Sequence, residues 1–96
     1  MMATRATWDE IKARRPVTPA QQEGYERARR GFMLGEQMRE LRSARGLTQA
    51  QLAERMGTTQ SVIARLEAGQ RVPSLVTLER VATALEAVLE VRLLAS

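Results

Sequence analysis

The chain of 96 residues contains no cysteine and no histidine. The first absence removes disulfides, thiolate nucleophiles and sulfur-ligated metals, and it fits a reducing compartment. The second removes the side chain that titrates nearest neutral pH and is the commonest metal ligand. Catalysis would rest on carboxylates, one lysine (Lys12) and one tyrosine (Tyr25), and the order of residues shows no convergent carboxylate pair. The chain is therefore read as a non-enzyme that needs no metal and no cofactor. No run approaches the roughly 18–20 apolar residues of a membrane span. The opening MMATRATWDEIKARR has no apolar stretch of the kind a secretory signal carries. A cytoplasmic protein without a membrane partner is expected.

What is present is arginine. The formal net charge is +4, and Lys12 is the one basic residue that is not arginine. The guanidinium fork bonds phosphate and guanine bidentately, which favours a polyanionic partner; a GC-rich genome would give the same preference for arginine without one. The charge is uneven. Residues 1–34 hold seven basic side chains against four acidic ones, which leaves the other 62 residues at +1. Length sets a second bound, since 96 residues build one modest core at most.

Start and stop signals divide the chain. Thr7 and Glu10 form a capping box, with Trp8 and Ile11 on a short apolar edge before Pro16. PVTP is a stiff hinge, after which Thr18, Pro19 and Gln21 open another helix. That helix carries Glu23 four residues before Arg27 and Glu26 four before Arg30, an order that supports exposed pairs, whereas Gly24, Gly31 and Gly35 weaken it. Residues 1–33 read as an N-terminal arm and residues 34–96 as a helical domain. In the domain, Leu34, Met38 and Leu41 mark a buried helical stripe that ends at Arg45-Gly46. Thr48 and Gln51 cap the next helix, in which Leu52, Ala53 and Met56 face inward until Gly57. Ser74 caps a last helix with Leu75, Leu78, Val81, Ala82 and Leu85 on one side. Over 88–94 the period changes, because Leu89, Val91 and Leu93 alternate with Glu90 and Arg92, which predicts a short strand.

The most informative stretch is LTQAQLAERMGTTQSVIARLEAG, two helices with almost nothing between them. At about 100° per residue, Ser61, Ala64 and Arg65 share an arc with Gln60, and Val62, Ile63 and Leu66 fall on the opposite one. The apolar arc packs inward. The outward amide, hydroxyl, methyl and guanidinium are base-reading groups, with Gln suited to adenine and Arg to guanine. A tight turn at Gly57, with the small Ala53 at the crossing, would lay the first helix over the phosphate backbone and the second in the major groove. The free amides behind Thr48 and Thr59 would face phosphates.

Residues 47–74, LTQAQLAERMGTTQSVIARLEAGQRVPS, resemble the helix-turn-helix of phage repressors and Cro proteins, the XRE family, and the resemblance extends over about 35–86. It implies an all-α, five-helix domain, here with a short helical arm before it and a short C-terminal β-strand. It implies that Gln49 contacts the backbone of double-stranded DNA, that Thr59, Gln60, Ser61 and Arg65 read bases, and that Arg71 meets phosphate. Arg42 and Glu67 match a structural ion pair between the first and third domain helices. The layout also resembles small HigA-type antitoxins, which implies a HigB/RelE-like toxin partner and autorepression as a homodimer. Trp8, Ile11, Tyr25 and Phe32 are then the expected toxin-binding residues. Leu89, Val91 and Leu93 would pair across a two-fold axis, and the DNA would be a palindromic operator. A stand-alone repressor with no toxin is the alternative, and an adaptor that does not itself read sequence is a third reading.

Overall fold

Each described helix begins where a hydroxyl receives a backbone amide that has no helical partner. Thr18 accepts from the amide of Gln21 at 3.2 Å, Thr48 from Gln51 at 3.0 Å, Thr59 from Val62 at 3.4 Å and Ser74 from Thr77 at 3.1 Å. At Thr18 and Thr48 the glutamine three residues on returns the bond, which completes both capping boxes. The computed structural model describes residues 18–96, and within them the helices are α1 Pro19–Ala44, α2 Gln49–Met56, α3 Gln60–Glu67 and α4 Leu75–Ala84.

The core is one cluster. Met38 of α1, Leu52, Ala53 and Met56 of α2, Ile63 of α3, Val81 of α4 and Leu85 just beyond it are buried, and Leu41, Leu47, Leu66 and Ala87 pack around them. α2 touches both α3 and α4, and α1 lies against α3. Arginines close the helix C-termini. Arg80 donates to the carbonyl of Met56 at 2.5 Å, Arg55 to Ala84 at 3.0 Å, and Arg45 to Leu85 and Glu86 at 2.8 and 3.1 Å. A cation at these ends satisfies orphan carbonyls and complements the helix dipole. Part of the arginine excess is thus structural.

Two expectations for the fold class are corrected. The domain does not have five helices: the segment opened by Thr18 and the one carrying Leu34, Met38 and Leu41 are a single helix of 26 residues, so four helices are present among the described residues. Gly31 and Gly35 do not break α1, because both are buried against the end of α3 and that packing offsets their poor helix propensity. Nor is there a C-terminal strand among the described residues, since 87–96 has no regular structure. A lone strand leaves its backbone groups unpaired, and among the described residues no neighbouring strand is available to pair with 88–94. Leu89 folds back and is half-buried, while Val91 and Leu93 are exposed. The helix expected from Thr7 and Glu10, with Trp8 and Ile11, lies outside the described residues. Among the described residues no helix is long and apolar enough to cross a membrane.

Candidate nucleic-acid interface

The link between α2 and α3 is three residues, Gly57 to Thr59. Gly57 adopts the left-handed conformation (φ 67°, ψ 36°), which any other residue enters at a cost. The amide of Thr58 returns to the carbonyl of Ala53 at 2.9 Å, so the turn is locked onto α2. Ala53 is buried where the two helices meet, and a larger side chain there would spread them. The angle between the helices is therefore fixed by the backbone.

On α3, Ile63 is fully buried and Val62 and Leu66 are half-buried, whereas Gln60, Ser61 and Arg65 are exposed and Ala64 is intermediate. Thr59 is exposed at the helix start. Gln49 is half-buried at the first position of α2, and Arg71 is exposed in the loop after Gly69. Arg71 shares a groove with Arg65, Val62 and Gln70. Gln60, Ser61, Arg65 and Arg71 thus form one continuous polar surface, with Gln49 at its edge.

Beneath that surface lies an ion pair. Arg42 of α1 donates to both carboxylate oxygens of Glu67, Nε to Oε2 at 2.6 Å and Nη2 to Oε1 at 3.0 Å, and Nη1 donates to the carbonyl of Leu47 at 2.7 Å. The Glu67 side chain is 3% exposed and that of Arg42 13%. The hydrogen bonds from Glu67 hold the guanidinium above its ordinary pKa, against the opposing effect of burial. The Nε2 of Gln49 donates to Oε1 of Glu67 at 3.1 Å. A carboxylate only accepts, so the amide nitrogen of Gln49 must face it and the amide oxygen must face the other way. That oxygen receives Nε2 of Gln60 at 3.5 Å, a long contact. That contact leaves one N–H and the carbonyl oxygen of the exposed Gln60 side chain unused, a donor and an acceptor of the kind that match N7 and N6 of adenine.

The sequence reading assigned Glu67 to a structural pair but missed that it orients Gln49, and through it Gln60. No periodicity carries that information, because residues 49 and 67 lie on different helices and meet only through the α2–α3 turn. Of the residues expected to hold a toxin, Trp8 and Ile11 lie outside the described residues, and Tyr25 and Phe32 are half-buried on α1.

Comparison with known proteins agrees with this geometry. The family model described as a helix-turn-helix domain matches residues 33–94. An uncharacterized HTH-type transcriptional regulator from Methanothermobacter thermautotrophicus is 50% identical over 48 residues, which is half of this chain and 70% of that protein. Among solved structures, the restriction-modification controller protein C.AhdI from Aeromonas hydrophila superposes with a TM-score of 0.56 at 43% identity, over 58% of this chain and 85% of the controller. The relatives are regulators, and the antitoxin expectation draws no support from them.

Proposed function

The chain belongs to the helix-turn-helix domain family, and from that premise we propose that it is a stand-alone transcriptional repressor that reads a palindromic operator as a homodimer. The observation that carries this reading is the exposed face of α3, where Gln60, Ser61 and Arg65 stand clear of the core on a helix held rigid by Gly57, Ala53 and the Arg42–Glu67 pair. Gln60 and Arg65 enter the major groove and read adenine and guanine. Gln49 and Arg71 meet phosphates on either side and set the register. The likeness to a transcriptional regulator and to a restriction-modification controller supports control of transcription as the outcome of binding.

The test is an operator selected from a random duplex library, followed by binding to its single-base variants. Arg65→Ala and Gln60→Ala should each lose about 1–3 kcal/mol of discrimination at the particular base pairs they touch. Gln49→Ala should weaken all sequences and, because Gln49 orients Gln60, also reduce preference at the base pair that Gln60 touches. If both α3 variants retain the operator preference of the wild type, α3 is not the reading element, and the adaptor reading takes its place.

Dimerisation is assigned to the apolar C-terminal side. Val88 is 93% exposed, Leu93 97% and Leu94 82%, and with Val91 they extend a groove lined by Leu34, Met38, Leu41 and Leu89. Such a patch is covered in a stable soluble protein. The assignment rests on exposure and does not invoke strand pairing. A Val91→Asp, Leu93→Asp double variant should elute as a monomer in light-scattering chromatography and lose tight operator binding while keeping its helix content. A wild-type protein that is monomeric at micromolar concentration would remove the two-fold arrangement and the palindrome with it.

A further inference from the structure

Eleven arginines fall among the described residues, and most are spent internally. Arg42, Arg45, Arg55 and Arg80 bond backbone carbonyls or Glu67, Arg39 pairs with Glu36, Arg92 pairs with Glu90, and Arg29 has a partner of its own. Arg27, Arg30, Arg65 and Arg71 are exposed and, among the described residues, engage in neither a hydrogen bond nor an ion pair. The i, i+4 pair expected between Glu23 and Arg27 does not form, so the Arg27 guanidinium is available.

Three of these four are neighbours. Arg65 and Arg71 line one groove beside α3, and Arg71 and Arg27 line the next, with Gln70 common to both. Among the described residues no acidic side chain lines either groove. The second groove exists because α1 passes close over the loop that follows α3. A Cβ on Gly31 would stand 2.8 Å from the carbonyl oxygen of Gly69 and 3.2 Å from that of Arg71. The small residues Gly24 and Ala28 continue the same face of α1 beside the loop. Backbone contact therefore fixes Arg71 against α1, and Arg27 sits about one helical turn before that contact. Residues 19–30 extend α1 beyond the contact by about 18 Å.

We infer that the N-terminal extension of α1 is a second phosphate-binding element, in which Arg27 and Arg71 hold the DNA backbone next to the segment read by α3. This rests on the DNA-binding reading above and adds a contact outside the helix-turn-helix. The two adjoining grooves lie beside the exposed face of α3, with no acidic side chain among their described lining residues. A duplex seated on Gln60, Ser61 and Arg65 runs on over Arg71 to Arg27. Both arginines are bidentate donors without a partner among the described residues, and phosphate is the ligand that matches their geometry. Neither is placed to read a base, so the contact adds affinity without changing sequence preference.

The experiment uses the full chain, a fluorescein-labelled 30-base-pair duplex of arbitrary sequence, and anisotropy over a series of KCl concentrations. One phosphate contact contributes about 0.9 to the slope of log K against log salt, which is roughly eightfold in affinity at 0.1 M. Arg27→Ala should lower both by those amounts per bound protomer, and Arg27→Lys should restore most of the slope. Arg92→Ala removes the same charge from the far tail and should leave the slope unchanged. Equal losses from Arg27→Ala and Arg92→Ala would show a net-charge effect and overturn the inference. So would an Arg27→Ala protein that binds with the wild-type slope, and in that case the DNA-binding reading stands. A wild-type protein with no affinity for any duplex would overturn that reading first and this one with it.

Discussion

Glu67→Ala should destabilise the domain by about 3–5 kcal/mol in urea unfolding, because it leaves the Arg42 guanidinium in a dry site without its counter-charge. The carboxylate is 3% exposed and accepts both arms of the guanidinium fork, so the variant leaves two donors of a largely buried guanidinium without their acceptor. Against the roughly 5–15 kcal/mol that holds a small domain folded, this is a large share. Stability alone does not separate the structural role of the pair from its role in recognition, but a second variant does. Replacing both partners with apolar residues of similar volume, Arg42→Met with Glu67→Leu, should recover most of the loss, since it removes the buried charge along with its partner. Gln49 then has no acceptor for its Nε2 and Gln60 no oriented neighbour. The double variant should therefore fold well and bind DNA with reduced preference at the base pair read by Gln60. Full operator preference in that variant would show that Gln60 orients itself.

What was legible in the sequence was local chemistry. The hydroxyl and glutamine at each end of the Thr18 and Thr48 boxes are three residues apart, and the left-handed turn at Gly57 needs nothing beyond its own missing Cβ, so both read correctly from the letters. The inward stripe of Leu52, Ala53, Met56 and Ile63 read correctly too, because a helix of eight residues has one face to bury. The failures are tertiary. Alternation over 88–94 is a necessary pattern for a strand but not a sufficient one, and the partner that would make it a strand is absent among the described residues. The continuity of α1 was hidden because glycine is costly within an isolated helix, and nothing local shows that two of its glycines face a neighbouring carbonyl. The arginines gave a third lesson. Composition suggested a polyanionic partner, yet most arginines among the described residues are bonded to helix ends or carboxylates, and the DNA contacts proposed above fall to those left free.

The glycines of α1 permit a test in which helix propensity and packing predict opposite signs. By propensity alone, Gly→Ala within a helix gains about 1 kcal/mol. Gly24→Ala should show that gain, because a Cβ there has nothing within 4 Å. Gly35→Ala should instead lose about 3 kcal/mol, the upper end of the range for overpacking. A Cβ at Gly35 would lie 2.5 Å from the carbonyl oxygen of Glu67, 2.8 Å from that of Leu66 and 2.9 Å from the carbonyl carbon of Glu67. These are backbone atoms at the end of α3 and cannot rotate aside. Relief requires α3 to move away from α1, which lengthens the contact between Arg42 and Glu67 and shifts the whole recognition face. Urea unfolding of the two variants beside the wild type is the measurement, with operator binding of the folded fraction as its companion. Gly24→Ala should unfold at higher denaturant than the wild type, and Gly35→Ala should unfold earlier and bind more weakly. If both variants are stabilised alike, α1 does not meet α3 at Gly35, and the close approach that holds Glu67 beneath the DNA-binding surface is wrong.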